Sequence, residues 1–185
     1  MTARAYVAGM SSGGALAALL AYHHPDVFAA AAVHSGLPPM MPPSAAAAIS
    51  AMEKGVRIDP KVLADSYWNT HEVTPPPLII LHGNADETVT ERNATSLMKL
   101  WEKLLETAPQ ATQLVREERE FDDSESARAY TQVDLQREGR IVVRSLRVHG
   151  LAHDWSGGDA ALPFNDAKGP DASAAIWKFF ERQRK

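Results

Sequence analysis

The run Tyr6-Val7-Ala8-Gly9-Met10-Ser11-Ser12-Gly13-Gly14-Ala15 constrains this chain more than any other stretch. A short β-prone segment enters Gly-x-Ser-x-Gly, and an unbroken Ala/Leu segment leaves it. Strand, sharp turn and helix in that order make a nucleophile elbow, with the serine held at its tip. Small residues are expected two before and two after that serine, and Gly9 and Gly13 stand there. Gly14 lets the helix lie close on a sheet. The backbone N–H of Ser12 then opens the helix and points to where a tetrahedral oxyanion would form. Ser11 is thus the candidate nucleophile and Ser12 the candidate oxyanion donor.

At 185 residues the chain is long enough to bury a core as one domain without staples. With 45% hydrophobic and 23% charged residues, its composition is that of an ordinary globular protein. A formal charge of −4 and scattered Lys/Arg give no footprint for nucleic acid. The absence of cysteine removes disulfides, thiolate catalysis and Cys-based zinc sites together. No run approaches a membrane span, because His23-His24-Pro25-Asp26 breaks the longest apolar region. No secretory signal is visible, and the compartment stays open.

Taken in order, residues 4–9 read as a buried strand and 12–22 as a helix apolar on nearly every side. Val27 to Val33 fits an interior parallel strand. A Pro/Met loop follows at 38–43, then short helices over 45–53, capped by Ser44, and 60–68, capped by Asp59. Leu78-Ile79-Ile80-Leu81 is the most strand-like run, and it ends in His82-Gly83-Asn84-Ala85-Asp86. Thr88-x-x-Glu91 reads as a capping box before an amphipathic helix carrying Ala94, Leu97, Met98, Trp101, Leu104 and Leu105. Residues 109–126 are polar and poorly patterned. Period-two alternation from Ala127 to Leu135, a turn at Arg137-Glu138-Gly139 and the run Ile141 to Val148 predict a hairpin. A Gly-rich loop bearing His149 and His153 follows, and a helix over about 172–182 closes the chain.

Strand–loop–helix repeats put active residues at the carboxyl ends of parallel strands. Ser11, Asp86 and His153 fall at such ends, in the triad order of α/β-hydrolases. A serine hydroxyl needs a base, imidazole has a suitable pKa, and a carboxylate on its other nitrogen fixes the tautomer. Asp86 has the competing role of helix cap. Among the histidines, His34 and His82 read as structural and His149 as strand-bound, so His153 in the flexible loop is favoured. No cluster has metal-ligand spacing and no glycine loop cradles phosphate, so no metal or cofactor is expected.

The elbow with Pro25-Asp26-Val27-Phe28-Ala29-Ala30 and Ser35-Gly36-Leu37-Pro38 resembles the poly(3-hydroxybutyrate) depolymerase-like esterase family. His82-Gly83-Asn84-Ala85-Asp86-Glu87-Thr88-Val89 and Gly150-Leu151-Ala152-His153-Asp154-Trp155-Ser156-Gly157-Gly158 carry the same resemblance, as does the closing Ile176-Trp177-Lys178-Phe179-Phe180. It implies an α/β-hydrolase serine esterase, with nucleophile, acid and base on Ser11, Asp86 and His153. It also implies a substrate among polyhydroxyalkanoates or feruloyl or acetyl esters. Trp155, beside the base, is the expected substrate-binding aromatic. Two departures stand out. Asp154 puts an extra carboxylate next to the base, where it either raises the imidazole pKa or faces solvent. The chain also starts at the elbow strand, so it resembles the C-terminal portion of such an enzyme, without the N-terminal strands and the second oxyanion donor.

The reading is therefore an α/β-hydrolase-type parallel sheet with flanking helices, cleaving carboxylic esters through an acyl-enzyme. Two alternatives remain at this level: a prolyl-oligopeptidase-type peptidase, and a non-catalytic fragment lacking a complete oxyanion hole. The N-terminal strand edge is expected to pair with a second copy or with a preceding segment.

Overall fold

The computed structural model describes residues 4–109, 111–122 and 127–185. A six-stranded sheet runs in the order β1-β2-β3-β6-β5-β4. Its parallel part comprises β1 (Tyr6–Met10), β2 (Ala30–His34), β3 (Leu78–Gly83) and β6 (Arg140–Val148). β5 (Tyr130–Arg137) and β4 (Val115–Phe121) extend it antiparallel beyond β6. The helices are α1 (Ser12–His23), α2 (Ala45–Lys54), α3 (Pro60–Trp68), α4 (Arg92–Glu106) and α5 (Ala172–Phe180), and a two-stranded ribbon pairs β7 (Trp155–Ser156) with β8 (Asn165–Asp166).

Strand periodicity builds a core on each face of the sheet. Ala31, Val33, Leu78 and Ile80 face the side covered by α1, α3 and α4, where Leu97, Leu100, Trp101 and Leu104 are buried. Ala30, Ala32, Ile79 and Leu81 face α5, with Ile176, Phe179 and Phe180. β2 and β3 are buried along their whole length, as strands covered on both faces must be. Alanine at 30–32 suits a strand between two helix layers, and Gly14 exploits that closeness. A Cβ there would lie 3.0 Å from the His34 carbonyl oxygen.

Two helix starts follow the expected side chains, and a third is capped in the same way. Ser44 accepts from Ala47 N–H, Asp59 from Lys61 N–H and Asp171 from Ala174 N–H. Several expectations need correction. Val115–Phe121, within the stretch read as unpatterned, is a strand paired with β5; residues 110 and 123–126 of that stretch lie outside the described residues. The strand expected over 27–33 begins only at Ala30. Thr88 is no helix cap, since α4 starts at Arg92 and Glu91 at its N-cap makes no side-chain capping bond. Helix α1 is not buried all round, because Leu16 is 56% exposed. Nor is Gly13 sterically required, for a Cβ on it would meet nothing within 4 Å. Gly9 is the residue the elbow cannot enlarge, as its Cβ would fall on the Gly13 carbonyl group and 2.8 Å from Gly14 N.

Among the described residues β1 is the sheet's outer strand, with Ala8 exposed and its neighbours half-buried. Ala29 N–H donates to Ala5 O and Ser11 N–H to His34 O. Backbone groups of alternate residues point to the same side of a strand, so those of Tyr6, Ala8 and Met10 face the open edge.

Candidate active site

Three loops at the carboxyl ends of β1, β3 and β6 carry Ser11, Asp86 and His153. Ser11 sits at φ 55° and ψ −120°, a conformation that costs a non-glycine residue about 1–3 kcal/mol and persists only where its surroundings enforce it. Here Ser11 N–H is tied to His34 O at 2.9 Å, and Ser11 O accepts from Ala15 N–H as α1 begins. The Ser12 N–H stands in the first turn of α1, among the donors a helix leaves without internal partners.

Asp86 is held by three hydrogen bonds. Its Oδ1 accepts from the N–H groups of Thr88 (3.0 Å) and Val89 (2.8 Å), and its Oδ2 accepts from His153 Nδ1–H at 2.7 Å. The side chain is fully buried, so these three bonds replace its hydration. They also explain the misread capping box: the Asp86 side chain takes the amides that would have opened a helix at Thr88. With Nδ1–H committed to Asp86, the imidazole of His153 holds its other nitrogen free as a base. Among the described residues no hydrogen bond joins the Ser11 hydroxyl to His153, and catalytic contacts of this kind are often loose without substrate.

The loops carrying Asp86 and His153 are fastened to each other. Asn84 Oδ1 accepts from Gly150 N–H at 2.7 Å, and Ala85 N–H donates to Leu151 O at 3.1 Å. His82 Nε2–H donates to Val89 O at 2.7 Å and lies 3.5 Å from Asp86 Oδ2. Burial pushes the His82 pKa down, so the ring that holds this loop is neutral. His149, the rival base, instead pairs its Nε2 with Thr131 Oγ1 at 3.1 Å, on the hairpin side.

Sequence reasoning read His34 as structural but missed how its parts reach both halves of the site. Its carbonyl binds the Ser11 N–H, and its Nε2 accepts from Ser156 N–H at 3.2 Å, in the segment just after His153. That bond leaves the proton on Nδ1, which donates to Ser35 Oγ at 3.2 Å. Trp155 stacks on the same ring at 5.0 Å, and its indole N–H donates to Ser173 Oγ. The expected substrate-binding Trp155 is thus engaged in packing and does not line the cavity beside Ser11. A His at the end of a strand beside an elbow was the available signal, but its partner lies 122 residues away.

Burial lowers the His34 pKa to about 3, helped by the nearby His82 and His153 and opposed by Asp86. An unfolded chain would protonate this histidine near pH 6.5, whereas the folded one keeps it neutral. Below that pH the unfolded state therefore binds more protons, and stability falls as pH falls, by up to about 1.4 kcal/mol per unit for each such histidine. His82 acts in the same direction. Urea unfolding at pH 7, 6, 5 and 4 should show a smaller pH slope for His34→Gln than for the parent. Equal slopes would contradict a neutral buried His34.

A cavity of about 350 Å³ opens beside Ser11 and Ser12. A second depression, of about 340 Å³, lies between α4 and the sheet; it carries charges of both signs and none of Ser11, Asp86 or His153. The first is therefore the one placed to serve this site.

Comparison with known proteins agrees with this architecture. The model of the family described as esterase PHB depolymerase matches residues 2–120. In fold the chain is similar to an acetyl xylan esterase from Aspergillus awamori, at TM-score 0.66 and 17% identity, covering 95% of this chain and 58% of that one. It is also similar to a PHB depolymerase complexed with an R3HB trimer, at TM-score 0.61 and 17% identity, covering 96% and 51%. The chain thus spans little more than half the length of either protein. No curated protein matches it in sequence. With an α/β-hydrolase fold and a family model matched across well over half its residues, the chain belongs to the PHB depolymerase family of esterases.

Proposed function

We propose that this chain is a serine esterase domain that cleaves carboxylic esters through Ser11, His153 and Asp86. The observation that carries the reading is the 2.7 Å bond from His153 Nδ1–H to a buried, doubly amide-held Asp86, set at the same sheet end as a serine at positive φ. Membership in an esterase family and two esterases among the similar folds support ester hydrolysis in general. In the first half-reaction Ser11 Oγ attacks the ester carbonyl carbon while His153 Nε2 takes the hydroxyl proton. The carbonyl oxygen becomes an oxyanion facing the Ser12 N–H, and collapse expels the alcohol with the proton from His153. Water, deprotonated by the same nitrogen, then attacks the acyl carbon, and the C–Oγ bond breaks as His153 returns the proton to Ser11 Oγ and the acid leaves.

A fluorophosphonate probe followed by peptide mass spectrometry tests the nucleophile. The adduct is expected on the peptide containing Ser11; an adduct mainly on Ser12, Ser35 or Ser156 would refute it. Chromogenic aminoacyl amides should turn over far more slowly than p-nitrophenyl esters, and the reverse would favour a peptidase. Of the polyhydroxyalkanoate, feruloyl and acetyl esters that the resemblance implies, the apolar cavity beside Ser11 favours the first, whose acyl part is aliphatic.

The open edge of β1 is proposed to take up a further strand, and in a solution of this chain alone a second copy would supply it. Light scattering should then report a species larger than the monomer. Ala8→Pro removes one outward-facing N–H without touching the ladder to β2, so it should restore the monomer. A parent chain that is monomeric at every concentration would rule the pairing out.

A further inference from the structure

The walls of the cavity beside Ser11 specify the acyl group. We infer that they accommodate a straight aliphatic acyl chain of medium length, about six to ten carbons; this rests on Ser11 being the nucleophile. One wall is a single stripe of α1, in which Ser12, Leu16 and Leu19 follow one another at helical spacing. Met40 and Met41 of the loop after β2 and Met52 of α2 also line the cavity. Apart from Ser11 and Ser12, no residue lining the cavity has a polar side chain. A sugar or a charged group placed there would lose hydration and find no partner. Three methionines give an unbranched, adaptable surface that moulds to a flexible alkyl chain.

The chemistry decides which half of the ester enters. The leaving alcohol must receive its proton from His153, and neither His153 nor Asp86 lines this cavity. The alcohol therefore lies on the side of His153, and the cavity takes the acyl chain. Its volume is about 350 Å³. At roughly 30 Å³ for each carbon-sized group, taking the share of one water in the liquid, it holds about twelve at most. An acetyl group would leave most of it wet.

The test is kcat/KM of the full chain on p-nitrophenyl acetate, butyrate, hexanoate and octanoate, all below micelle formation. Each added methylene buried should raise kcat/KM about three- to fourfold, so octanoate should exceed butyrate by about a hundredfold. Ala48→Phe, on the α2 wall, should lower the octanoate-to-acetate ratio at least about tenfold. Met52→Ala should move the optimum to longer chains and carries the test if Ala48→Phe fails to fold by circular dichroism. A flat or falling series with measurable turnover overturns the acyl-chain inference and leaves the esterase reading standing. An unchanged chain-length profile in every folded variant also overturns it. A folded chain that turns over no ester overturns both.

Discussion

Turnover of an activated ester by His153→Ala should fall by about a thousandfold or more, because nucleophile and base act as one unit and losing either forfeits most of their joint effect. The loss should sit in kcat, since the imidazole moves a proton in the transition state and does little to hold the ground-state substrate. His149→Ala provides the contrast. Its Nε2 pairs with Thr131 on the hairpin, and its own N–H belongs to the sheet margin at Ala129. Removing that ring costs about 1 kcal/mol of stability and leaves turnover in the same order of magnitude. Parallel kinetics on the two variants settle the assignment, and a greater loss in His149→Ala would refute it. Asp86→Asn should follow His153→Ala in direction, because an amide nitrogen facing Nδ1 would select the wrong tautomer.

The second large effect comes from a glycine with no chemistry of its own. Gly83 closes β3, and a Cβ on it would fall on the Leu151 carbonyl oxygen and 2.6 Å from the Leu151 carbonyl carbon. Both are backbone atoms, so the loop itself must move, and His153 follows two residues later. A displacement of about 1 Å in a catalytic group can cost a hundredfold in rate, and overpacking costs a further 1–3 kcal/mol or so in stability. Gly83→Ala should therefore lower kcat by about a hundredfold in a chain that still folds, with a smaller change in KM. Gly13→Ala, although it alters the elbow motif, meets no neighbour and should leave stability unchanged or slightly raised, alanine being the better helix former. Urea unfolding and kinetics on both variants check the pair. A harmless Gly83→Ala would show that the two loops are not packed as described.

Much of the site could be read in the linear order of residues. The elbow, the alternation of strands with helices, and Asp86 and His153 after strand-like runs are local features, each set within a few residues. Helix caps such as Ser44, Asp59 and Asp171 are equally local, since the side chain bonds a backbone group two or three residues on. Thr88 and Glu91 fit the same pattern and failed, because the Asp86 carboxylate captured the amides of Thr88 and Val89 first. β4 escaped for a different reason. Val-Arg-Glu-Glu-Arg-Glu-Phe has no apolar face, since this strand lies at the sheet's edge and is exposed along most of its length. Its ladder to β5 is held by backbone bonds that no side-chain period announces.

By itself the sequence determined the fold class and the residue types of the site, because apolar periodicity, turn chemistry and a strained Gly-x-Ser-x-Gly turn are properties of short segments. The sequence favoured His153 over His149, but only tertiary structure brings its ring against Asp86. His149 and His153 lie four residues apart, and the loop between them is seated by Leu151 against Gly83 and by the Gly150–Asn84 and Ala85–Leu151 bonds, with the second histidine on the carboxylate. Tertiary structure also decided the part played by His34, whose carbonyl and ring join elements from distant parts of the chain. The Pro/Met loop and the helix after it fit a pocket rim or a plain crossover equally well in sequence, and the shape of the apolar cavity beside Ser11 was beyond local reading for the same reason. Its walls come from α1, α2 and the loop between β2 and α2, and a surface shared by several elements exists only once their packing brings them together.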